Sequence, residues 1–294
     1  MISIFHKRTQ LSVLKTGKKY TLYEIPCSTN LLMVDGDGIT KGDGAEEIEI
    51  PGIGIWRTLM SSVTFHYLES KGVRTHLPKT AQDLSIFEGI NGNAVVISEC
   101  TPILMEVVVR LQIVEGSSCI KRNQTLVPGQ RLQELIVEFY YKSDKEKDPF
   151  LVVVDIENGP RFELHDAKKK LGTGFIRVLS LKEIPCSREE MDYIREQALK
   201  ISELLNNPIL KKYGELVDFK LEFGRDICGK IVLIDAFTLD ECRFVCYFAT
   251  GEPMQDISKE VFRKAKKVTP ELKKEILGNY KWFAEAVQEA FATA

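Results

Sequence analysis

The chain has 294 residues, of which 44% are hydrophobic and 28% are charged, and its formal net charge is −2. This composition is typical of a folded globular protein, and the length allows one large domain or two lobes. The charges are nearly balanced, so no overall basic field would attract nucleic acid or a membrane surface, and we expect neither as a partner.

The cysteine pattern argues against disulfides and structural zinc. The seven cysteines are an odd number, are scattered and form no C-x-x-C pair, so reduced thiols are the expected state. The N-terminal segment MISIFHKRTQ lacks the long apolar run of a secretory signal. No apolar run approaches the roughly 20 residues needed to cross a bilayer. We therefore expect a cytoplasmic protein.

The first third of the chain predicts short strands followed by one helix. Three apolar runs predict strands, at Leu11–Leu14, Tyr20–Ile25 and Asn30–Val34. Gly17, Lys18 and Lys19 predict a turn between the first two of these strands. The next segment, VDGDGITKGDGAEE (34–47), is rich in Gly and Asp and predicts a loop. Helical spacing of apolar residues predicts a helix over Trp56–Ser70.

The middle third predicts mainly strands, at Ala94–Ile97, Ile103–Val114, Leu132–Tyr141 and Phe150–Ile156. The polar, Gly-bearing residues 157–174 predict an extended loop or a small excursion. In the last third, Ser187 followed by Glu190 forms a capping-box pattern that begins a helix running to Leu205.

The C-terminal part predicts a hairpin and a helical tail. The strands Leu216–Phe223 and Lys230–Ile234 are joined by GRDICG, which suits a hairpin, and residues 259–292 have helical spacing. The whole pattern predicts an α+β fold with an antiparallel sheet first and a mixed sheet with helices later. We expect two lobes, at 1–100 and 101–294, with a cleft between them.

The strongest chemical pattern lies in this predicted hairpin. Lys220 and Glu222 are two residues apart on one strand, so their side chains share a face, and Asp235 ends the next strand. Two converging carboxylates suit a magnesium ion that bridges nucleotide phosphates, and Lys220 could neutralise phosphate charge. A solvated hairpin face with a Lys–Glu pair is the alternative interpretation.

Several further basic residues are candidates for anion binding. Gly17 and Lys18 could approach a phosphate, although the P-loop pattern is absent and a surface hairpin turn is the simpler explanation of this pattern alone. Arg110 in MEVVVR and Arg243 in ECRFVC lie in apolar runs, where an arginine is costly unless it meets a carboxylate or a phosphate. Both partners stay open for these two arginines.

Two polar segments and several absent motifs complete the pattern. The charged run KSDKEKDP (142–149) is typical of a solvated turn, and TKGDG (40–44) allows either close approach to a ligand or a flexible loop. The four histidines form no metal-binding spacing or triad, and neither G-x-S-x-G nor a Rossmann fingerprint is present. Nucleophilic hydrolysis and dinucleotide redox chemistry are therefore disfavoured.

Together these segments resemble the SAICAR synthetase (phosphoribosylaminoimidazole-succinocarboxamide synthase) family. GKKYTLYE is similar to the family's GKAK-x-x-Y, and TKGDGA to its SAGDGA loop. HYLESKGVRTHL, MEVVVR, GSS and IVEFYYKSDKEKDP follow the family pattern in order. VDFKLEFGRDICGKIVLID (217–235) is close to a family signature, and LDECR follows it as PD-x-x-R does.

The resemblance implies a two-lobed SAICAR synthase-like fold with an ATP cleft and a carbon–nitrogen ligase of de novo purine biosynthesis. ATP would phosphorylate the carboxylate of a carboxyaminoimidazole ribonucleotide (CAIR), and the amine of L-aspartate would attack the acyl phosphate to give SAICAR. The implied cofactors are ATP and Mg²⁺, and the family suggests a homo-oligomer. The implied site residues are Glu222 and Asp235 for magnesium; Gly17, Lys18, Lys220 and Glu222 for ATP; Arg110, Ser117, Arg243 and Glu106 for the ribonucleotide; and Asp43, Lys142, Asp148 and Lys220 for catalysis in the substrate cleft.

The sequence also departs from the family pattern near the implied ligands. The departures are Tyr20, Ile53, Arg57-Thr58, Ala236 and Val245-Cys246, and residues 150–185 are longer than usual. Each lost charge beside a phosphate or carboxylate could cost on the order of 1–3 kcal/mol of binding. A relative that ligates a different nucleotide carboxylate or amine, or a non-catalytic nucleotide-binding homologue, are therefore the alternative hypotheses.

Overall fold

The computed structural model describes residues 3–7, 9–42, 45–80, 83–157, 159–246 and 255–292, and these residues form an α+β protein built on antiparallel sheets. The described strands are β1 (Phe5–His6), β2 (Thr9–Gln10), β3 (Val13–Thr16), β4 (Tyr20–Glu24), β5 (Asn30–Asp35), β6 (Gly38–Lys41), β7 (Glu46–Glu49), β8 (Phe87–Glu88), β9 (Ala94–Ser98), β10 (Thr101–Gln112), β11 (Arg131–Tyr141), β12 (Phe150–Ile156), β13 (Gly159–His165), β14 (Phe175–Val178), β15 (Gly214–Arg225), β16 (Ile231–Ile234), β17 (Cys242–Cys246) and β18 (Gln255–Asp256). The described α-helices are α1 (Ile53–Ser70), α2 (Ser118–Arg122), α3 (Arg188–Leu205), α4 (Glu260–Lys264) and α5 (Pro270–Phe291).

Two larger sheets organise these elements. A four-stranded sheet has the order β3-β4-β5-β9, and a nine-stranded sheet has the order β14-β13-β12-β11-β10-β15-β17-β18, with β16 also paired to β15. Strands β10 and β15 are the longest, at 12 residues each, and lie side by side in the middle of the larger sheet. Glu106, Arg110, Lys220 and Glu222 of the candidate site lie on this central pair.

The main hydrophobic core joins the nine-stranded sheet to α1, α3 and α5. Helices α1 and α5 pack together, and the rings of Tyr67 and Phe291 stack with their centroids 4.6 Å apart. A smaller core that includes Leu32 and Val96 lies on one face of the four-stranded sheet. Burial of these apolar side chains is the dominant favourable contribution to folding, and it fixes the position of β10 and β15.

The segment predicted as a loop at 34–47 contains a strand pair instead, so that prediction is wrong. Strand β6 pairs with β7 in antiparallel register. The Asp37 carboxylate accepts hydrogen bonds from the backbone N–H groups of Gly52 (2.9 Å) and Gly54 (3.0 Å), which caps the amino end of α1. This cap explains why α1 begins at Ile53, three residues before the predicted start.

Residues 157–174 were predicted as an extended loop or a small excursion, and the first half of this segment contains a strand rather than a loop. Residues Gly159–His165 form β13, which pairs with β12, and β14 then adds a third strand to this extension of the sheet. Only Tyr140 and Phe150 pair β11 with β12, so the three strands diverge from the main sheet. The extension therefore begins directly after the charged run 142–149.

Other predictions are confirmed. Ser187 caps α3 with the full capping box to Glu190, and β15 and β16 form the predicted hairpin. The tail is helical but is divided into α4 and α5, since Pro270 begins a separate helix with Thr269 as its cap. Among the helices of the described ranges, none has both the length and the apolar character needed to span a bilayer. The lobe boundary near residue 100 stays a prediction.

Candidate active site

A cluster of carboxylates and lysines lies where β10, β15 and β16 meet. Glu106 on β10 is opposite Glu222 on β15, and Glu222 is opposite Ile234, the residue before Asp235. The Lys220 ammonium donates hydrogen bonds to Glu222 (2.5 Å), Asp235 (3.3 Å) and Glu106 (3.3 Å). The hairpin thus brings Glu222 and Asp235 together, as the spacing of the sequence predicts.

Two further lysines complete this carboxylate cluster. Lys142 Nζ donates to Glu222 Oε2 at 2.7 Å. Lys19 Nζ lies 3.7 Å from Asp235 Oδ2 and also pairs with Glu241, which is buried. We define the carboxylate cluster as Glu106, Glu222, Asp235 and Glu241 with Lys19, Lys142 and Lys220. It has one more carboxylate than ammonium groups, so a bound cation would balance its charge.

The electrostatics keep the central carboxylate ionised. Burial alone would raise the pKa of Asp235, but the ammonium groups of Lys19 and Lys220 outweigh it and hold that pKa well below its usual range. Burial would likewise lower the pKa of Lys19, but Asp235 and Glu241 raise it above its usual value. Asp235 is also a non-glycine residue in the left-handed region, with φ 67°. Such backbone conformations persist where the surroundings impose them, often at functional sites.

The carboxylates of Glu222 and Asp235 fit a magnesium ion in chemical type. Both residues are 8% exposed and present hard oxygen donors, and the Lys220 ammonium shows that a cation is held between them. No group of three or more His, Cys, Asp or Glu side chains suited to a metal occurs within the ranges that the structure describes. A magnesium ion here would therefore need water or phosphate oxygens to complete its ligands.

A second polar site surrounds Arg110 and Arg243. Arg110 donates to Glu138 Oε2 (2.6 Å) and Asp218 Oδ2 (3.0 Å), and Arg243 donates from Nε to Asp218 Oδ1 (2.8 Å). Arg243 Nη2 also donates to the Ser117 hydroxyl at 3.3 Å. Both arginines thus meet carboxylates, one of the two partners left open by the sequence.

One cavity of about 320 Å³ is lined by Arg110, Ser117, Asp218 and Arg243, together with Lys220 and Glu241 of the carboxylate cluster. The side chain of Arg243 is 19% exposed and that of Arg110 only 5%, so Arg243 is the more accessible to a ligand. Gly116, just before Ser117, has φ 80° and open space where a side chain would be. We call Arg110, Ser117, Asp218 and Arg243 the anion pocket.

A second cavity, of about 350 Å³, lies between the four-stranded sheet and Asp235. We call it the apolar cleft; its wall includes Tyr20, Leu22, Leu31, Met33, His76 and Ile97. Burial lowers the pKa of His76 to about 4, so its imidazole is neutral near pH 7. The cleft can therefore hold the flat, uncharged part of a ligand, and the charged part of the same ligand would reach the carboxylate cluster.

The remaining predicted site residues are placed less centrally. Lys18 is exposed, whereas its neighbour Lys19 lies in the carboxylate cluster. Gly17 closes the β3–β4 turn by donating its backbone N–H to the Tyr20 carbonyl (2.8 Å). Asp148 accepts a hydrogen bond from the Ser143 backbone N–H (2.8 Å). Asp43 lies outside the described residues.

Sequence reasoning missed a buried ion pair beside the cluster. Arg57, 1% exposed, donates from Nε to Asp240 Oδ2 at 2.7 Å, and Lys259 lies 3.2 Å from Asp240 Oδ1. Arg57 is a departure from the family pattern, and its partner Asp240 is the aspartate of LDECR. An arginine within a helix and an acid 183 residues later give no local signal that they will meet.

Buried carboxylates with lysines, an arginine-lined pocket and an apolar cleft together define the site of a nucleotide-dependent enzyme that acts on anionic substrates. The SAICAR synthetase family model matches residues 13–278, and the chain belongs to this family. Its α+β fold with antiparallel sheets matches the solved structures of that family.

Individual relatives agree with this assignment. A phosphoribosylaminoimidazole-succinocarboxamide synthase of Pyrococcus horikoshii is 34% identical over 246 residues, which cover 84% of this chain and 86% of the relative. The synthase of Methanococcoides burtonii is 32% identical over 273 residues, covering 88% and 97%. The solved structure of a SAICAR synthetase in complex with ADP has a TM-score of 0.69 and 30% identity, and the match covers 94% of this chain and 97% of that one.

Proposed function

We propose that this protein is an ATP-dependent carbon–nitrogen ligase that joins CAIR to L-aspartate, giving SAICAR, ADP and phosphate in purine biosynthesis. Membership of the SAICAR synthetase family supports the reaction, and the relatives described above carry the name of this synthase. The ADP in a related structure supports ATP as the phosphoryl donor. The same names disfavour a changed substrate or a non-catalytic homologue.

The observation that carries this proposal is the position of Lys220. Its ammonium contacts Glu222 and Asp235, while the same residue lines the cavity of the anion pocket. A nucleotide held at the carboxylates and a phosphorylated substrate held at the arginines would therefore meet at Lys220. This arrangement supplies proximity and charge stabilisation, which acyl-phosphate chemistry needs more than a strong base.

We assign Mg²⁺ to Glu222 and Asp235, where it would neutralise phosphate charge when bound. Gly17, Lys18 and Lys220 are proposed to contact the ATP phosphates, as the family resemblance implies. We add Lys19, because its ammonium already lies beside Asp235. Its charge is maintained at neutral pH, since the carboxylates raise its pKa.

The base of ATP is proposed to bind in the apolar cleft. Leu22, Leu31 and Met33 supply apolar surface on one side, and the cleft ends at Asp235. Tyr20 lies at this end, and burial followed by the charge of Asp235 raises the pKa of its hydroxyl, so the hydroxyl stays protonated. It can donate a hydrogen bond to an anionic ligand.

The ribonucleotide is proposed to bind across the anion pocket and the charged loop. Arg110, Ser117 and Arg243 would hold its 5′-phosphate, since Ser117 and Arg243 both line the cavity. Lys142, with Asp148, Asp43 and Glu106, would contact the reacting end. Lys142 Nζ lies 2.7 Å from Glu222 Oε2, so it can link this substrate to the metal carboxylates.

Three broader features are part of the same proposal. We propose that an ATP cleft separates an N-terminal lobe at 1–100 from a larger lobe at 101–294, that the protein is cytoplasmic, and that it is a homo-oligomer. Free cysteines at all seven positions are consistent with a reducing compartment. Light scattering coupled to gel filtration would measure the oligomeric state.

The test is direct. Purified protein is incubated with ATP, Mg²⁺, L-aspartate and CAIR, and ADP release and the product mass are followed. We expect one ADP per SAICAR formed, and no product when aspartate or Mg²⁺ is omitted. ADP release with a different acid or amine, but none with CAIR and aspartate, would overturn the substrate assignment. Absence of ATP binding by calorimetry would overturn the ligase assignment.

A further inference from the structure

The charged loop, defined as residues 142–149, is attached firmly at its two ends. The Tyr141 backbone N–H donates to the Pro149 carbonyl at 2.9 Å, and the Lys142 N–H donates to the Leu104 carbonyl on β10 at 3.1 Å. These bonds fix where the loop leaves and rejoins the sheet. They do not by themselves fix the backbone between these ends.

The charged loop has an unusual backbone. Lys147 and Asp148 are consecutive non-glycine residues in the left-handed region, with φ values of 57° and 47°. Each such residue costs on the order of 1–3 kcal/mol, so the conformation must be held by its surroundings. Asp148 contributes by bonding Ser143 through both its carboxylate and its backbone N–H (2.8 and 3.2 Å).

The strand extension supplies a second attachment. Arg177 on β14 donates from Nε to Glu146 Oε1 at 2.8 Å and from Nη2 to Glu146 Oε2 at 2.9 Å. The guanidinium is itself held by Glu183, whose Oε1 lies 2.9 Å from Nη2. Glu183 is fixed in turn by the Ser180 N–H and hydroxyl (2.9 and 2.6 Å). A two-bond arginine–carboxylate pair of this type is more rigid than a lone surface ion pair.

The attachment lies next to the candidate active site. Lys142, Glu146 and Arg177 line one polar cavity of about 370 Å³. Lys142 reaches from this cavity to Glu222 of the carboxylate cluster. A shift of the loop would therefore move Lys142 and Asp148 relative to Glu222.

We propose that Arg177 is a positioning residue, and that the extension β12–β14 holds the charged loop in the conformation that binds the carboxylate substrate. Arg177 does not itself contact the substrate; it acts through Glu146. The expected effect of Arg177 on KM for CAIR rests on the proposed function, whereas its effect on the conformation of the charged loop does not. This gives a role to the strands β12, β13 and β14, which lie within residues 150–185.

The test compares Arg177→Met with Arg188→Met. The two arginine side chains are 35% and 36% exposed, and Arg188 also makes two ion pairs, with Asp155 and Asp192, but none with the charged loop. Both changes keep an unbranched stem and remove the charge. Arg188→Met therefore controls for the loss of an exposed arginine near the extension.

The first readout is limited trypsin digestion followed by mass spectrometry, which requires no turnover. We expect Arg177→Met to increase cleavage after Lys145 and Lys147 at least fivefold, and Arg188→Met to leave it within twofold of wild type, because cleavage follows local opening. Equal cleavage in both variants would overturn the proposal, even if the protein had no ligase activity.

The second readout separates positioning from general destabilisation. Arg177→Met should raise KM for CAIR about tenfold while KM for ATP stays within twofold and the melting temperature stays within a few degrees. Arg177→Lys should recover only part of the loss, since it cannot form both bonds. Arg177→Met combined with Glu146→Gln should be no worse than either change alone. Additive losses, or equal rises in both KM values, would contradict positioning through Glu146.

Discussion

Lys19 Nζ lies 3.7 Å from Asp235 Oδ2 and pairs with Glu241, although Lys18 is the lysine that the family pattern indicates. Lys18 is exposed on the same turn. The Lys19 carbonyl accepts a hydrogen bond from the Gly36 N–H at 2.7 Å, which fixes the turn against β5. Lys19 therefore supplies a half-buried positive charge beside the proposed magnesium site.

The first prediction concerns the two adjacent lysines. Lys19→Met should lower kcat/KM for ATP by about 10- to 100-fold, because charge-assisted contacts to phosphate contribute about 1.5–3 kcal/mol. Lys18→Met should have a smaller effect, since that side chain is exposed. Steady-state kinetics with varied ATP measure both.

Removing Lys19 also takes away the ammonium group that pairs with the buried Glu241 carboxylate, so stability must be measured in parallel. The double variant Lys19→Met/Glu241→Gln removes that buried carboxylate and should regain stability without regaining ATP affinity. A larger kinetic loss at Lys18 than at Lys19 would show that the exposed lysine is the phosphate ligand.

The second prediction concerns Asp235. Asp235→Asn should lower kcat by more than about 1000-fold, because the neutral amide is a poor magnesium ligand. Asparagine tolerates the left-handed backbone that φ 67° requires, so the fold should be retained. Turnover at several magnesium concentrations and circular dichroism melting check the two parts. Near-normal activity in a folded variant would rule out the metal assignment.

The third prediction concerns the buried pair of Arg57 and Asp240. Arg57→Met should destabilise the protein by about 3–5 kcal/mol, since among the described residues it leaves the buried Asp240 carboxylate with Lys259 as its one remaining salt-bridge partner. Denaturant unfolding measures this loss. Adding Asp240→Asn should recover part of it, because the uncompensated charge is removed. Two losses that simply add would show that the residues do not stabilise each other.

The sequence predicted the elements whose signals are local. The capping box of α3 and the hairpin of β15 and β16 are confirmed, because Ser187, Glu190 and the GRDICG turn lie within a few residues of what they stabilise. The β6–β7 pair was missed because Gly-rich sequence does not reveal pairing that tertiary contacts enforce. The Asp37 cap of α1 was missed because the carboxylate lies 15 residues before the Gly52 N–H that it accepts from.

The contacts of the candidate site also divide into those that local spacing predicts and those that depend on the tertiary structure. The meeting of Lys220, Glu222 and Asp235 follows from strand period and one hairpin, and the structure shows it. The inward orientation of Lys19 depends on a three-residue turn, and the partner of Arg57 is 183 positions away. Neither can be obtained from spacing alone. A charge that departs from a family pattern can therefore belong to a compensating pair.

The last prediction concerns the pH dependence of stability at Asp35. Its Oδ2 accepts a hydrogen bond from the Thr58 hydroxyl at 2.5 Å, and burial raises its pKa from 3.8 to about 7 despite that bond and the nearby Arg57. Well below pH 3.8 the carboxyl is protonated in both the folded and the unfolded chain. As the pH rises towards 7, Asp35 ionises in the unfolded chain before it ionises in the folded protein. The free energy of unfolding therefore falls, by about 4 kcal/mol in all.

Asp35→Asn should remove this dependence, because an amide oxygen can still accept from Thr58 but does not titrate. We therefore expect the free energy of unfolding of the variant to increase relative to that of wild type as the pH rises from 4 to 8. Above pH 8 the difference should stay constant. Denaturant unfolding at half-unit pH intervals measures the difference between the two proteins. Parallel stability curves over this range would show that Asp35 is ionised in the folded protein, and that the Thr58 hydroxyl and Arg57 are sufficient to offset its burial.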